Sequence, residues 1–378
     1  MDRDDPMTDL FEPFSQRGVT FRNRIGVSPM CMYCCGGDGK PTEWHLQHLM
    51  SRAVGGAGMV MTEAAAVTAE GRISPDDLGI WEDAQLPAHA RLAAGIAAMG
   101  AVPAIQLAHA GRKASRRAPW EGGPAPAERG WVPVAPSAEA FDDYATPRAM
   151  EEAEILATIA AFAAAARRSV KAGYRVIELH AAHGYLGHQF LSPLSNRRND
   201  AWGGDLDGRA RFVLEMSRAT RAAIPDEIPL WVRVSHTDWV EGGWTTEETV
   251  ELSRRLKALG VDLIDVSSGG LHPAQKIALG PGYQVPGAEA VKAGAGIAVA
   301  AVGMITEPEQ AQAILTEGRA DLILLARGLL RDPYWPIHAA SVLGRTEVLR
   351  VPPQYERGWA TLGKMGRDAA LGAPLPAL

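Results

Sequence analysis

The chain has 378 residues, 47% hydrophobic and 22% charged, an ordinary composition for a globular protein with a sizeable core. Its formal net charge of −6 offers no broad basic surface to nucleic acid or to an anionic membrane, so small-molecule chemistry is the favoured function class. The start MDRDDPMTDL lacks the apolar core of a secretory signal, and no apolar run approaches the roughly 18 residues of a membrane helix. We therefore expect a cytoplasmic protein that binds neither nucleic acid nor membranes.

Short apolar runs alternate with longer stretches rich in Ala, Leu and Arg, a pattern typical of parallel strands joined by crossover helices. We predict strands at 25–28, 59–63, 102–107, 176–180, 230–235, 263–267, 297–302 and 322–326. We predict helices at 150–172, 207–224, 246–260 and 307–318, each ending near a Gly or Pro that can stop it. Eight such strands predict an α/β fold, a single (β/α)₈ TIM barrel without exposed sheet edges.

Two segments depart from this repeat. Residues 116–146 follow the third strand and are rich in Pro, Gly and Trp, so we interpret them as a long excursion loop. Such a loop either covers the active-site end of a barrel or merely packs on its surface. The stretch at 351–378 is also irregular. We therefore divide the chain into an N-terminal tail at 1–9, a barrel domain at 10–350 and a C-terminal segment at 351–378.

The carboxyl ends of the strands are where a barrel gathers its functional groups. His180, His183 and Tyr185 follow the fourth strand. There two imidazoles could hold one oxygen and stabilise negative charge that develops on it, while the phenol supplies a proton. A structural histidine pair and a metal site are the alternatives. Zinc prefers three or four ligands, and neither an HExxH motif nor a cysteine-rich spacing occurs, so we predict no metal.

Other strand ends carry small or charged residues. Gly303 follows the seventh strand and Ala326-Arg327 follows the eighth, where barrels often bind a phosphate, although a glycine there also suits a plain turn. Arg233 lies on the fifth strand and should be buried, so it needs an anion or an acceptor. The edge of a flavin ring, which gains negative charge on reduction, and an ion pair within the barrel wall would both meet that need.

The three cysteines are clustered and make a poor disulfide framework. Cys31 could be a nucleophile, a thiol that tunes a redox cofactor, or a small buried hydrophobe. We interpret Cys34 and Cys35 as incidental.

Six motifs, taken together and in order, resemble the Old Yellow Enzyme family of flavin-dependent ene-reductases. They are LFEPF near the start, NRIGVSPMCMY at 23–33, GRISPDDLGIW at 71–81, QLAHAGRKA at 106–114, HAAHGYLGHQFLSPLSNRRNDAWGG at 180–204 and DLILLARGLLRDP at 321–333. Cys31 with Tyr33, the His-His pair and QYERGW at 354–359 are similar to the thermophilic-like class, which includes Bacillus and Pseudomonas xenobiotic reductases.

The resemblance implies FMN across the barrel mouth and NADPH or NADH as the reductant. It implies a cofactor site formed by residues from several strand ends, namely Ser28, Pro29, Met30, Cys31, Ala64, Gln106, Arg233, Gly303, Ala326 and Arg327. Many relatives have Gly in place of Ala326, a change that a contact through the backbone N–H should tolerate.

The resemblance also implies the reaction, in which hydride passes from FMN to the β-carbon of an activated alkene such as an enone, a maleimide or a nitroalkene. His180 and His183 would bind the substrate oxygen, and Tyr185 would deliver a proton to the α-carbon. Tyr33 would line the substrate side, and Cys31 would tune the flavin potential.

A homodimer or homotetramer follows from the same resemblance. In relatives the arginine that matches Arg357 reaches into a neighbouring subunit's site. We therefore expect shared active sites.

Three rival interpretations fit the sequence less well. A two-domain dienoyl-type reductase needs more cysteines for an iron–sulfur cluster and a second nucleotide-binding domain. A Schiff-base aldolase needs a lysine at a strand end, and the predicted strand ends carry none. A flavin-binding protein without turnover has no need of a proton donor such as Tyr185.

Overall fold

The computed structural model describes residues 8–348 and 351–359. In this part of the chain eight parallel strands close into a barrel. They are β1 Ile25–Val27, β2 Met59–Ala66, β3 Val102–Ala108, β4 Val176–Ala181, β5 Leu230–Ser235, β6 Leu263–Ser267, β7 Ala298–Ala301 and β8 Leu322–Leu325. Each strand pairs with its neighbours in sequence, and β8 closes the barrel by pairing with β1. The predicted (β/α)₈ fold is confirmed.

Helices pack around the outside of the strands. Those of eight or more residues within the described ranges are α1 Glu43–Val54, α2 Leu86–Ala98, α3 Glu152–Lys171, α4 Leu206–Ala223, α5 Thr246–Ala258, α6 Val285–Ala295, α7 Pro308–Thr316 and α8 Trp335–Val342. The four predicted helices correspond to α3, α4, α5 and α7, with ends that differ by at most two residues. Helices α1, α2, α6 and α8 were not predicted.

Helix α5 shows why such segments are helical and where they stop. Thr245 caps its start by accepting a hydrogen bond from the N–H of Glu248, and the Glu248 side chain accepts one from the Thr245 N–H. This reciprocal capping box satisfies two N–H groups that would otherwise lack a partner. Gly260, with φ of +85°, then turns the chain towards β6. The helix ends at Ala258, two residues before Gly260, because the left-handed conformation of Gly260 cannot continue a right-handed helix.

Strand bounds agree best where the apolar pattern is strongest. Strands β5 and β6 have the predicted bounds, and β7 is shorter by one residue at each end. Strand β2 runs three residues beyond its predicted end, to Ala66, with a register shift between Met61 and Ala64. The extension is a run of alanines, which carry no strand signal of their own.

A two-stranded antiparallel ribbon, Phe14–Gln16 with Val19–Phe21, packs on the amino ends of the strands and was not predicted. The ring of Phe21 lies 5.9 Å from that of Trp231, whose indole N–H donates to Gln16 Oε1 at 2.6 Å. Phe21 and Trp231 belong to an apolar cluster inside the barrel, while a larger one fills the space between strands and helices. The amino end of the barrel is therefore packed shut.

The predicted excursion loop lies over the opposite end of the barrel. A two-residue strand within it, Val134–Ala135, pairs with Arg148–Ala149 just beyond its predicted end, and neither strand was predicted. The Trp120 ring meets the Tyr33 ring edge to face at 5.6 Å, and the Phe141 ring lies 4.1 Å from Lys113 Nζ. Of the two roles considered for this loop, these contacts favour the first, in which the loop covers the barrel mouth.

No helix in the described ranges combines the length and the apolar character that a membrane crossing requires. Residues 1–7 of the predicted N-terminal tail and 360–378 of the C-terminal segment lie outside the described residues.

Candidate active site

A cavity of about 370 Å³ opens at the carboxyl ends of the strands. This volume lies in the range of about 300–1,000 Å³ typical of small-molecule sites. Four of the predicted cofactor residues, Arg233, Gly303, Ala326 and Arg327, meet in its wall with the predicted substrate residue His183. Ser267, Ser268 and Gln284, which were not predicted, also line it.

Gly303 shapes one side of the cavity. Its φ of +117° is in the region that favours glycine, and a Cβ built there would lie 2.7 Å from Gln284 Nε2. On the other side Ala326 immediately precedes the short helix Arg327–Arg331. Small residues at both places leave the main chain accessible to a ligand, as a phosphate held by backbone N–H groups requires.

Arg233 joins the wall of the barrel to the cavity. Its NH1 donates to Ser28 Oγ at 3.0 Å, and its Nε lies 3.1 Å from Asp265 Oδ2. The ion pair within the barrel wall, one of the two roles considered for this residue, is therefore present. The guanidinium also lines the cavity, where it could meet a second anionic group.

These features together fit FMN. The cavity has a suitable volume, a buried guanidinium at its floor and a second arginine, Arg327, on its rim. With its Nε facing Asp265, Arg233 donates one hydrogen bond to the described residues, from NH1 to Ser28 Oγ, so the five-donor guanidinium retains donor capacity for a bound group. A flat ring with a phosphate tail matches both the shape and the charge.

The other predicted ring contacts lie near this floor. Ser28, Ala64 and Gln106 are buried, and Gln106 donates to Glu178 Oε1 at 2.8 Å. Pro29 and Met30 are half-buried on the loop that follows β1.

His180, His183 and Tyr185 come together at the mouth. The ring centroids of His180 and His183 are 5.2 Å apart, and those of His180 and Tyr185 are 5.0 Å apart, both edge to face. His183 has a φ of +57°, which is costly for a residue other than glycine. Its N–H donates to Ser235 Oγ at 2.9 Å and its carbonyl accepts from Lys113 Nζ at 2.9 Å, so neighbouring strands and loops hold this conformation.

Both imidazoles are held neutral. Burial lowers the pKa of His180 and of His183 well below the usual value, and the positive charge of Arg233 lowers both further. The Ala182 N–H donates to His180 Nδ1 at 3.1 Å, so this nitrogen carries no proton and Nε2 carries it. Within the described ranges, no group of three or more His, Cys, Asp or Glu side chains is arranged to hold a metal ion.

Burial also keeps the nearby thiol and phenols protonated. It raises the pKa of Tyr185 and of Cys31 well above their usual values, and it raises the pKa of Tyr33 as well. A thiol that keeps its proton is a poor nucleophile. Of the three roles considered for Cys31, the nucleophile therefore fits the structure least.

Arg357 is not among the residues of the mouth. Its side chain is exposed, and Tyr355, two residues earlier, lines a groove beside α1 and α2 together with Tyr334. In its own chain Arg357 thus lies apart from the predicted site.

Sequence reasoning missed several residues that shape the site. Lys113 lies five residues past the end of β3, and its ammonium donates to the carbonyl oxygens of His183 and Gly270. Burial lowers its pKa to about 7. It lies at the mouth on the loop after β3, beyond the strand ends that were considered for a lysine. Its place in the QLAHAGRKA motif was the available signal.

Glu178 and Asp265 were also missed, although each is fully buried inside the barrel. Each interrupts an apolar strand, in VIELHA and in LIDVS. A charged residue within a buried strand is itself a signal that a polar layer crosses the barrel.

Comparisons with known proteins agree with this geometry. The model of the NADH:flavin oxidoreductase / NADH oxidase family matches residues 9–345. An NADPH dehydrogenase from Geobacillus sp. (strain WCH70) is 49% identical over 354 residues, which cover 93% of this chain and 99% of that protein.

Two solved structures extend the comparison. Morphinone reductase superposes with a TM-score of 0.75 at 26% identity, covering 89% of this chain and 90% of its own. The Old Yellow Enzyme homologue from Zymomonas mobilis superposes with a TM-score of 0.73 at 25% identity, covering 93% of this chain and 96% of its own. The chain therefore belongs to the NADH:flavin oxidoreductase / NADH oxidase family, together with Old Yellow Enzyme, and is an FMN enzyme that takes its electrons from NAD(P)H.

Proposed function

We propose that the enzyme is an ene-reductase that reduces the carbon–carbon double bond of an activated alkene, such as an enone, a maleimide or a nitroalkene. One observation carries this proposal: His180, His183 and Tyr185 pack together at the barrel mouth, and His183 lines the FMN cavity. Two neutral N–H donors and a protonated phenol suit a substrate whose oxygen is conjugated to the double bond.

The residues of the floor and rim would hold the cofactor. Arg233 would face the N1–C2=O2 edge of the flavin, and Gly303, Ala326 and Arg327 would bind its phosphate. When bound, FMN accepts a hydride from the nicotinamide and supplies it to the β-carbon of the alkene. The ring would contact the remaining residues of the site, Ser28, Pro29, Met30, Cys31, Ala64 and Gln106.

His180 is the first donor to the substrate oxygen. Its Nδ1 accepts the Ala182 N–H, so the proton resides on Nε2 and can be donated. A neutral imidazole remains a donor throughout the reaction and stabilises the negative charge that grows on the oxygen as hydride reaches the β-carbon.

His183 is the second donor, and Ser267 sets its tautomer. Ser267 Oγ is 2.6 Å from His183 Nε2 and 3.2 Å from Gln284 Oε1, and Ser268 already donates to Gln284 Oε1 at 2.7 Å. Because Ser267 Oγ donates to Gln284 Oε1, whose oxygen can accept two hydrogen bonds, it accepts at the shorter contact and the histidine proton lies on Nε2. The substrate oxygen would take this N–H in place of Ser267 Oγ.

Tyr185 would donate the proton to the α-carbon. Because burial raises its pKa, the phenol keeps its proton until the substrate carbon becomes strongly basic. Such timing protects the site from losing the proton before hydride arrives.

The two remaining predicted residues would adjust this chemistry. Cys31, as a protonated thiol next to the cofactor, would tune the flavin potential. Tyr33, under the ring of Trp120, would line the substrate side of the cavity.

We further propose the organisation of the protein in solution. Residues 10–350 would form the catalytic barrel, and the exposed Arg357 would reach the mouth of a neighbouring copy in a homodimer or homotetramer. NADPH is the expected reductant because the Geobacillus relative is named an NADPH dehydrogenase.

Anaerobic stopped-flow absorbance tests the proposal by following the two half-reactions separately. NADPH should bleach the flavin, and a panel of enones, maleimides and nitroalkenes should then restore its colour. In Tyr185→Phe the second half-reaction should slow by about 10²–10⁴-fold, the usual contribution of a general acid, while the first stays unchanged.

Tyr174→Phe is the control, since Tyr174 is also a tyrosine without an exposed side chain but donates to His89, away from the mouth. It should leave both half-reactions unchanged. Equal slowing of both half-reactions in Tyr185→Phe would contradict its role as proton donor.

A further inference from the structure

A buried polar layer crosses the barrel between the apolar base and the mouth. It consists of Gln106 on β3, Glu178 on β4, Arg233 on β5 and Asp265 on β6, each at most 5% exposed. Gln106 Nε2 donates to Glu178 Oε1 at 2.8 Å, and Arg233 Nε lies 3.1 Å from Asp265 Oδ2. The mechanism described above uses Arg233 and Gln106 but neither carboxyl group.

The charges of this layer do not balance if both carboxyl groups are ionised, because two negative groups then face one guanidinium. Within the described ranges, Glu178 Oε2 and both oxygens of Asp265 receive no aligned hydrogen bond from an N–H or hydroxyl group. Burying an uncompensated carboxylate costs much more than burying a neutral acid, so such a group takes up a proton.

We propose that Glu178 carries a proton at neutral pH and donates it from Oε2 to the carboxylate of Asp265. The proton belongs on Glu178 because Asp265 is the partner of the Arg233 guanidinium, whereas the nearest side-chain donor to Glu178 is the neutral amide of Gln106. The shared proton then satisfies one oxygen of each carboxyl group.

The electrostatics of the layer agree with this assignment. Burial raises the pKa of Glu178 well above its usual value, and the negative charge of Asp265 raises it further. Burial also raises the pKa of Asp265, but the charge of Arg233 and the hydrogen bond from Glu178 both lower it. The two carboxyl groups therefore titrate as a pair, with Glu178 as the group that holds the proton.

The proton makes Glu178 a positioning residue for the cofactor, acting through Arg233 and Asp265. With Glu178 neutral the layer has no net charge. An ionised Glu178 would place an uncompensated negative charge near the flavin and disfavour its reduction, which adds negative charge. This inference rests on FMN lying beside Arg233, and it is independent of the alkene substrate.

Infrared spectroscopy of the holoenzyme tests the proposal directly. The oxidised enzyme at pH 7 should show the carbonyl band of a protonated carboxylic acid, and isotope labelling of glutamate carboxyls should shift that band. It should be absent from Glu178→Gln. It should persist in Glu63→Gln, the matched control, which removes a buried carboxylate that has its own donors in His45 and Met32.

The flavin provides a second measurement on the same variants. Because glutamine mimics the neutral acid, Glu178→Gln should keep the FMN dissociation constant within about tenfold and the reduction potential close to that of the parent at pH 7. Absence of the band, together with a higher potential in Glu178→Gln, would overturn the proposal. An enzyme that fails to reduce alkenes but shows the band would contradict only the proposed function.

Discussion

The two ends of the barrel are built from the same strands yet do opposite things. At the amino end Phe21 and Trp231 fill the interior, and the ribbon closes it. At the carboxyl end the strands give way to imidazoles, a phenol, arginines and a cavity. The contacts that stabilise the barrel and the residues suited to its chemistry therefore lie at opposite ends of the barrel axis.

Backbone strain follows the same division. In the described ranges, six of the seven residues other than glycine with positive φ lie on the loops after the carboxyl ends of strands, namely Tyr33, Ser115, Asp142, His183, Trp239 and Met304, and the seventh, Arg17, lies in the ribbon. Each such conformation costs about 1–3 kcal/mol, which packing elsewhere must offset. The well-packed amino end lets the mouth tolerate this cost.

The strongest test of the comparison is to remove packing at the base. Trp231→Ala should lower the free energy of unfolding by about 3–5 kcal/mol, because it leaves a large cavity in the apolar cluster. Denaturant unfolding measures this change. Trp120→Ala at the mouth, where the ring is 70% exposed, should cost less than about 0.5 kcal/mol. Similar losses of stability in the two variants would contradict the view that packing at the amino end stabilises the fold more than packing at the mouth.

A second test removes donors at the mouth. Replacing both His180 and His183 by Ala should raise the KM for an enone by about 10–100-fold, since each hydrogen bond contributes about 0.5–1.5 kcal/mol. Steady-state kinetics measure the effect, and the flavin absorbance spectrum should show that FMN remains bound. An unchanged KM would contradict the proposed hydrogen bonds from His180 and His183 to the substrate oxygen.

The free energy of unfolding should depend on pH through the buried His89. Burial lowers the pKa of His89 to about 4, and its Nδ1 and Nε2 are engaged with the Tyr174 hydroxyl and the Gly79 carbonyl at 2.9 Å each. Between pH 6.5 and pH 4 the unfolded chain binds a proton that the folded one does not, so stability is lost as pH falls.

The slope of the free energy of unfolding against pH measures the contribution of His89. From pH 6.5 to 5 the free energy of unfolding should fall less steeply in His89→Gln than in the parent, by up to about 1.4 kcal/mol per pH unit. Equal slopes would show that His89 does not titrate as its burial implies.

The smallest expected effect concerns the tautomer of His183. Ser267→Ala removes the hydroxyl that fixes the His183 proton on Nε2, and the loss of about 0.5–1.5 kcal/mol should raise the enone KM by about two- to tenfold. Ser253→Ala is the control, because Ser253 is also buried but donates to Thr249 O within α5. A change in the control as large as in Ser267→Ala would exclude the tautomer explanation.

The βα repeat and several residues of the cavity wall could be predicted from the sequence. Strands such as β5 and β6 are readable because their apolar runs end in turn residues, and Arg233, Gly303, Ala326 and Arg327 were found because barrel strands place their carboxyl ends at one mouth. The ribbon at Phe14–Phe21 was missed because three-residue strands carry almost no periodicity.

Only the tertiary structure decided which charges share a space. Lys113 and His183 are 70 residues apart, and Glu178 and Asp265 come from different strands, so no local pattern links them. Their protonation depends on burial and on the distance between charges, quantities that exist only once the barrel has closed. The sequence thus fixes which groups reach the axis of the barrel, and folding fixes which of them carry a proton.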